Sequence, residues 1–256
     1  MANDIHFLAE CPSLEYLWIL PAIGCDSFDY SPVYSLPNLK WLRCDTTTGP
    51  DDEQVASVDY SQIKGLRRLS IHGSKGHHNV ASAESITSLI FDFGYPNAKD
   101  LQQNFPGETL RYFAICQAPI SSLSGIEVAS HIHRLELSNN RKLTDISALY
   151  NLQQTLSCLE IDTCGKITDF SVLQHLCNLE YLILKGTNAL PNLSFLKHMP
   201  KLKYFHLTMN VVDGDLSLCE HVPYVKIQNR KHYSHKDKDL PKHYSNPDDA
   251  YSFNEI

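Results

Sequence analysis

Long apolar runs are missing from this 256-residue chain. No stretch approaches 18 apolar residues without a charge, so no membrane-spanning helix is expected. A basic surplus is missing as well. The chain has 22 Lys and Arg against 29 Asp and Glu, a net charge of −7. That balance argues against a general nucleic-acid binder, which must meet phosphate. Glycine (11) and proline (13) are too sparse for a collagen-like or linker-like protein. The opening residues, MANDIHFLAECPSLEYL, lack a basic segment leading into an apolar core, so no secretion signal is expected. Eight cysteines are scattered along the chain and no CxxC pair occurs. The commonest zinc and thioredoxin-type signatures are therefore absent, and free thiols in a cytoplasmic protein are the expectation.

Catalytic signatures are equally scarce. No GxSxG elbow, GxxxxGK[ST] phosphate loop or HExxH pair occurs. His77-His78 and His131-x-His133 lack Cys or carboxylate partners at ligand spacing and read as surface histidines. Asp51-Asp52-Glu53, in the longest inter-repeat loop, reads as a solvated acidic run rather than a calcium site. Asn192-Leu193-Ser194 is a formal glycosylation sequon without consequence in the cytoplasm. The expectation is a non-enzymatic protein with no cofactor and no metal.

What is present is a period. A six-residue phrase, apolar-x-x-apolar-x-apolar, recurs ten times. It begins at Leu14, Leu39, Leu66, Ile86, Leu110, Ile132, Leu156, Leu179, Leu202 and Val222, with successive starts 20 to 27 residues apart. A chance hydrophobic pattern would not hold that phase. Asn140 and Asn210 stand three residues after the last position of their phrases, where an amide can both donate and accept between neighbouring coils. Cys164 and Thr187 occupy the same place in two other repeats, and Ala22, Thr47, Ser74, Gly94, Ala118 and Arg230 make it irregular elsewhere. The segments between phrases share a Thr-Asp-apolar-Ser-x-Leu core at 144–149 and 168–173, shortened at 193–196.

These residues resemble the short, internalin-like or SDS22-like class of leucine-rich repeats, most closely over 132–210. The resemblance implies an α/β solenoid: a right-handed superhelix of about ten coils, a parallel concave sheet, and short 3₁₀ or helical return segments. Residues 1–13 are expected to cover its N-terminal end, 14–228 to form the solenoid, and 229–256 to pass from a C-terminal cap into a polar tail. That tail repeats Lys-His-Tyr-Ser at 231–234 and 242–245.

Alternation along each strand places phrase positions three, five and seven on the outer face. Position three holds Tyr16, Trp41, Tyr112, Tyr181, Tyr204 and Tyr224, six aromatics in ten, against 10% in the whole chain. Position five adds Trp18, Arg43, Glu136, Glu160 and His206, while Arg134 and Asp162 stand beside them at positions three and seven. Charges over the three columns balance at five basic against five acidic. An aromatic, charge-balanced face suits another protein better than a nucleic acid or a membrane. An aromatic ladder that only stabilises adjacent strands is the structural alternative. Glu136, Glu160 and Asp162 form an acidic patch able to meet a basic partner. The functional expectation is an adaptor, regulator or inhibitor. By class analogy it could be an immunity-type inhibitor of a toxin. The SDS22-like resemblance implies a phosphatase regulatory subunit instead. The rival reading is a recognition unit of an enzyme or effector whose tail contributes chemistry.

Overall fold

The computed structural model describes residues 5–20, 28–46, 57–73, 75–102, 105–107 and 109–243. Ala22, Thr47, Ser74, Asp51-Asp52-Glu53 and the end of the second Lys-His-Tyr-Ser copy lie outside the described residues. Ten strands form one sheet, each starting at position three of its phrase. They are β1 (Tyr16–Ile19), β2 (Trp41–Asp45), β3 (Arg68–His72), β4 (Ser88–Asp92) and β5 (Tyr112–Cys116). They continue as β6 (Arg134–Ser138), β7 (Cys158–Asp162), β8 (Tyr181–Lys185), β9 (Tyr204–Leu207) and β10 (Tyr224–Ile227). All nine pairings are parallel and join neighbours in chain order. Each phrase position faces its equivalent in the next coil, as Tyr16 faces Trp41 and Leu182 faces Phe205. At about 4.8 Å per step, the sheet runs roughly 43 Å.

Positions one, four and six turn inward. Leu42, Cys44, Leu135, Leu137, Leu159 and Leu182 are fully buried in one continuous apolar core. No coil could bury that face alone, so each is stabilised by its neighbours.

The return segments are short 3₁₀ turns, and their Asp-x-Ser spacing has a structural cause. Asp145 Oδ1 accepts the Ser147 N–H at 2.9 Å, and Asp169 accepts that of Ser171 at 2.8 Å. The same bond recurs at Asp29–Ser31, Asp59–Ser61, Asn192–Ser194 and Asp215–Ser217. Each side chain satisfies a backbone donor that the opening turn leaves free.

The asparagine positions are used unevenly. Asn140 is fully buried, donating to the Ile115 carbonyl at 2.9 Å and accepting from the Ala118 N–H at 3.0 Å. Thr187 does not do this work in its coil. Gly186, at φ 125°, carries the chain one residue further, and buried Asn188 donates to the Cys164 and Ile167 carbonyls at 3.1 and 2.7 Å.

His77 is not a surface histidine. Its ring packs between Tyr60 and Tyr95 and hydrogen-bonds the Tyr60 hydroxyl at 2.8 Å and Thr46 Oγ1 at 3.0 Å. Burial lowers its pKa to about 4.

The first Lys-His-Tyr-Ser copy closes the C-terminal end. The Tyr233 hydroxyl donates to the Met209 carbonyl and accepts from the Val211 N–H, the bridging role that Asn140 plays further back. Ser234 N–H donates to the Gly214 carbonyl, and Ser234 Oγ accepts from Leu216 N–H. Gly214 has φ 70°, and any Cβ there would strike the His232 carbonyl. Residues 241–243 then lie antiparallel beside β10: Val225 N–H donates to the Pro241 carbonyl and His243 N–H to the Pro223 carbonyl. Among the described residues no helix is long and apolar enough to cross a membrane.

Candidate protein-interaction face

The outer columns of the sheet are less open than alternation alone implies, because side chains 4.8 Å apart on a concave surface shield one another. Tyr204 is only 7% exposed, and Ile183, Cys158, Ala114, Ser70 and Ser88 are buried as well. Tyr181, Tyr204 and Tyr224 form a ladder, with ring centroids 6.3 and then 5.3 Å apart. Lys242 lies over the Tyr224 ring at 5.2 Å, which encloses the C-terminal end of the ladder.

The acidic patch is largely paired within the sheet, two cations meeting its three carboxylates. Glu136 takes Arg134 at 2.6 Å and the Tyr112 hydroxyl at 3.1 Å. Glu160 takes Lys185 at 2.8 Å, and the same ammonium lies 3.8 Å from Asp162. In-register parallel pairing puts Glu136 directly beside Glu160, so two like charges are tolerable only with basic neighbours. A basic partner would therefore displace existing pairs. Arg134 also covers the Tyr112 ring at 5.5 Å. Burial is the main cause raising the Tyr112 phenol, with the Glu136 carboxylate adding to it. His206 faces Lys226 in register, and burial together with the Lys226 and Lys185 charges lowers its pKa to about 4.

Toward the N-terminus the face opens. Tyr16 is 66% exposed and Trp18 59%. Trp41 and Arg43 are half-buried beside them, with the Arg43 guanidinium 4.8 Å over the Trp18 ring. Leu20, at position seven of the same coil, is 64% exposed, and Phe7 in the preceding turn 59%. Neither had been singled out as a site residue. Leu20 was legible from its column, whereas Phe7 belongs to no phrase and lies in the 3₁₀ turn His6–Glu10, which packs on the turn Ser31–Ser35. Further along, Asp45, His72 and Asp92 meet in register on β2, β3 and β4. The imidazole nitrogens lie 3.6 and 3.5 Å from the two carboxylates, and the exposed Phe93 ring packs on His72 at 4.3 Å. Among the described residues no group of three or more His, Cys, Asp or Glu is arranged to hold a metal.

The thirteen predicted contact residues thus fall into three groups. Tyr16, Trp18, Trp41 and Arg43 form an accessible N-terminal cluster. Tyr112, Arg134, Glu136, Glu160 and Asp162 form a paired central network. Tyr181, Tyr204, His206 and Tyr224 make up the C-terminal stretch, where the tyrosines stack on one another.

The chain resembles solved leucine-rich-repeat structures along most of its length. An internalin from Listeria monocytogenes superposes with a TM-score of 0.64 at 20% identity, covering 95% of this chain and 71% of that one. The mouse RP105/MD-1 complex gives a TM-score of 0.57 at 15% identity, covering 82% and 38%. The fold is that of a leucine-rich-repeat protein. No known protein-family profile matches the sequence. Among curated proteins, mitochondrial ATP synthase subunit s from Rattus norvegicus is 27% identical over 153 residues, 57% of this chain and 59% of its own length. The Homo sapiens protein of the same name is 38% identical over 66 residues, 23% of this chain and 33% of its own. The chain thus spans less than two thirds of either curated relative.

Proposed function

We propose that this protein is a non-enzymatic protein-interaction module, an adaptor, regulator or inhibitor that seats a partner protein across its concave sheet. The observation that carries this reading is the open N-terminal cluster. Tyr16 and Trp18 present large, nearly rigid rings to solvent on a backbone held by ten coils, and rigid aromatic anchors lose little entropy on binding. Arg43 and Trp41 flank them, and the paired network around Glu136 and Glu160 supplies a polar border. The curated relatives are named as subunits of a multi-protein assembly, which supports membership of a complex as the setting. The seven described cysteines are free thiols, which supports a reducing compartment, and a cytoplasmic location is our reading.

The test compares partners recovered by wild type and by a Trp18→Ala/Trp41→Ala double variant whose unfolding transition matches wild type. Loss of a partner from the variant supports the reading. Equal recovery of every partner overturns it.

A further inference from the structure

The chain leaves β4, β5 and β6 through three matching corners. In each, the residue after position seven takes a left-handed backbone: Phe93 at φ 52°, Gln117 and Asn139 at φ 54°. That conformation turns the chain out of the sheet. The corners are held from beneath by the fully buried Asn140 amide, which ties the Ile115 carbonyl and the Ala118 N–H to its own coil. The Gln117 N–H donates to the Ser138 carbonyl at 3.0 Å, which joins β5's corner to β6.

These corners border a cavity of about 440 Å³, within the roughly 300–1,000 Å³ of small-molecule sites. Its lining lies wholly within the described stretches 75–102 and 109–243. Gly94 puts no side chain into it. Asn97, Gln117, Asn139, Arg141 and Lys142 line it, and no carboxylate does. Cations on the neighbouring sheet are already engaged, Arg134 by Glu136 and Lys185 by Glu160. Among the described residues Arg141 and Lys142 have no such partner, and the three amide side chains make no hydrogen bond. Donors that face one cavity with no acid to neutralise them suit an anion.

We infer that this cavity binds a small phosphate monoester with a hydroxyl-bearing body, a phosphorylated sugar or polyol. The Arg141 guanidinium offers paired planar donors and the Lys142 ammonium a compact charge, and together they match a phosphate dianion. An amide both donates and accepts, as a hydroxyl does, so Asn97, Gln117 and Asn139 suit the body of the ligand. Pro119, also in the lining, supplies a small apolar surface for its carbon skeleton. Tyr16 and Trp18 lie three strands away on β1, so a ligand here leaves the partner face open, and the inference does not rest on that reading.

Calorimetric titration of the full chain tests this at about pH 7.5, where a phosphate monoester is dianionic. The probes are ribose 5-phosphate, glucose 6-phosphate and glycerol 3-phosphate, with glucose and inorganic phosphate as controls. At least one ester is expected to bind with a dissociation constant of about 1 mM or below, more weakly as salt is raised. Inorganic phosphate is expected to bind about tenfold more weakly than that ester, and glucose not measurably. Arg141→Ala and Lys142→Ala each weaken the ester about tenfold or more, and both positions are exposed, so the variants are expected to fold. Lys197→Ala, in the distant 3₁₀ turn Ser194–His198, leaves the constant at its wild-type value. Failure of all three esters to bind below about 10 mM overturns the inference. So does an affinity indifferent to both substitutions, or inorganic phosphate binding as tightly as the best ester. None of these results touches the partner reading, whose test uses Trp18 and Trp41.

Discussion

The Tyr204 ring stacks on the Tyr224 ring, with centroids 5.3 Å apart and planes 8° from parallel. Both occupy position three of consecutive phrases, and parallel in-register pairing brings them face to face. The same column at the other end of the sheet leaves Tyr16 open to solvent. One sequence position therefore has two physical roles, and they separate on mutation.

Tyr204→Ala is expected to lower stability by about 3–4 kcal/mol, because it removes a buried ring held between Tyr181 and Tyr224. Tyr16→Ala is expected to stay within about 0.5 kcal/mol of wild type. Urea unfolding followed by circular dichroism measures both. Similar losses for the two variants would contradict the division.

Asn140→Ala would strand the Ile115 carbonyl and the Ala118 N–H inside the protein. A cost of about 2–4 kcal/mol is expected for two unsatisfied buried groups. Amide exchange should accelerate first at Ala118, whereas Asn188→Ala should cost stability by removing the donor to the Cys164 and Ile167 carbonyls. Thr187→Ala, at an exposed position, should change little.

Acid should destabilise the protein in two windows. His77 and His206 have folded pKa values near 4, below the ordinary 6.5, so the unfolded chain binds protons that the folded one refuses. Their contribution is complete above pH 6.5 and is lost as pH falls toward 4. Asp59, Asp145, Asp169 and Asp215 are held below the usual carboxylate value by their Ser partners. Their contribution is present above about pH 4 and is lost below it. Replacing all four by Asn should keep the turns, since Asn192 already makes the bond, and flatten only the lower limb of a Tm-against-pH curve.

Tyr233→Phe keeps the ring but removes the hydroxyl that bridges Met209 and Val211. A loss of about 1–3 kcal/mol is expected. Exchange should open from residues 208–227 inward while the coils near β6 remain protected. Uniform opening along the chain would show that the end does not depend on this bridge.

The period alone carried much of this architecture. Ten phrases became ten strands because an apolar triplet at positions one, four and six can be buried only if each coil stacks in register on the next. The Asp-x-Ser spacing was visible too, although its purpose needed the hydrogen bond from the Ser147 N–H to Asp145 Oδ1 to be seen. Cross-coil pairing was harder to read. Glu136 and Glu160 looked like a free acidic patch because Lys185 lies 25 residues beyond Glu160 along the chain, yet 2.8 Å from it in space. Gly186 displaced the asparagine role from 187 to 188 through a single positive φ, which composition does not reveal.

Hydrophobic periodicity by itself determined the solenoid, the strand positions and the set of side chains on the concave face, since these follow from local geometry and the need to bury leucines. Tertiary structure decided which of those side chains are free. Burial and ion pairing depend on what the neighbouring coil places a few ångströms away. At the N-terminal edge no neighbouring coil stands beyond β1 among the described residues, and Tyr16 and Trp18 remain exposed.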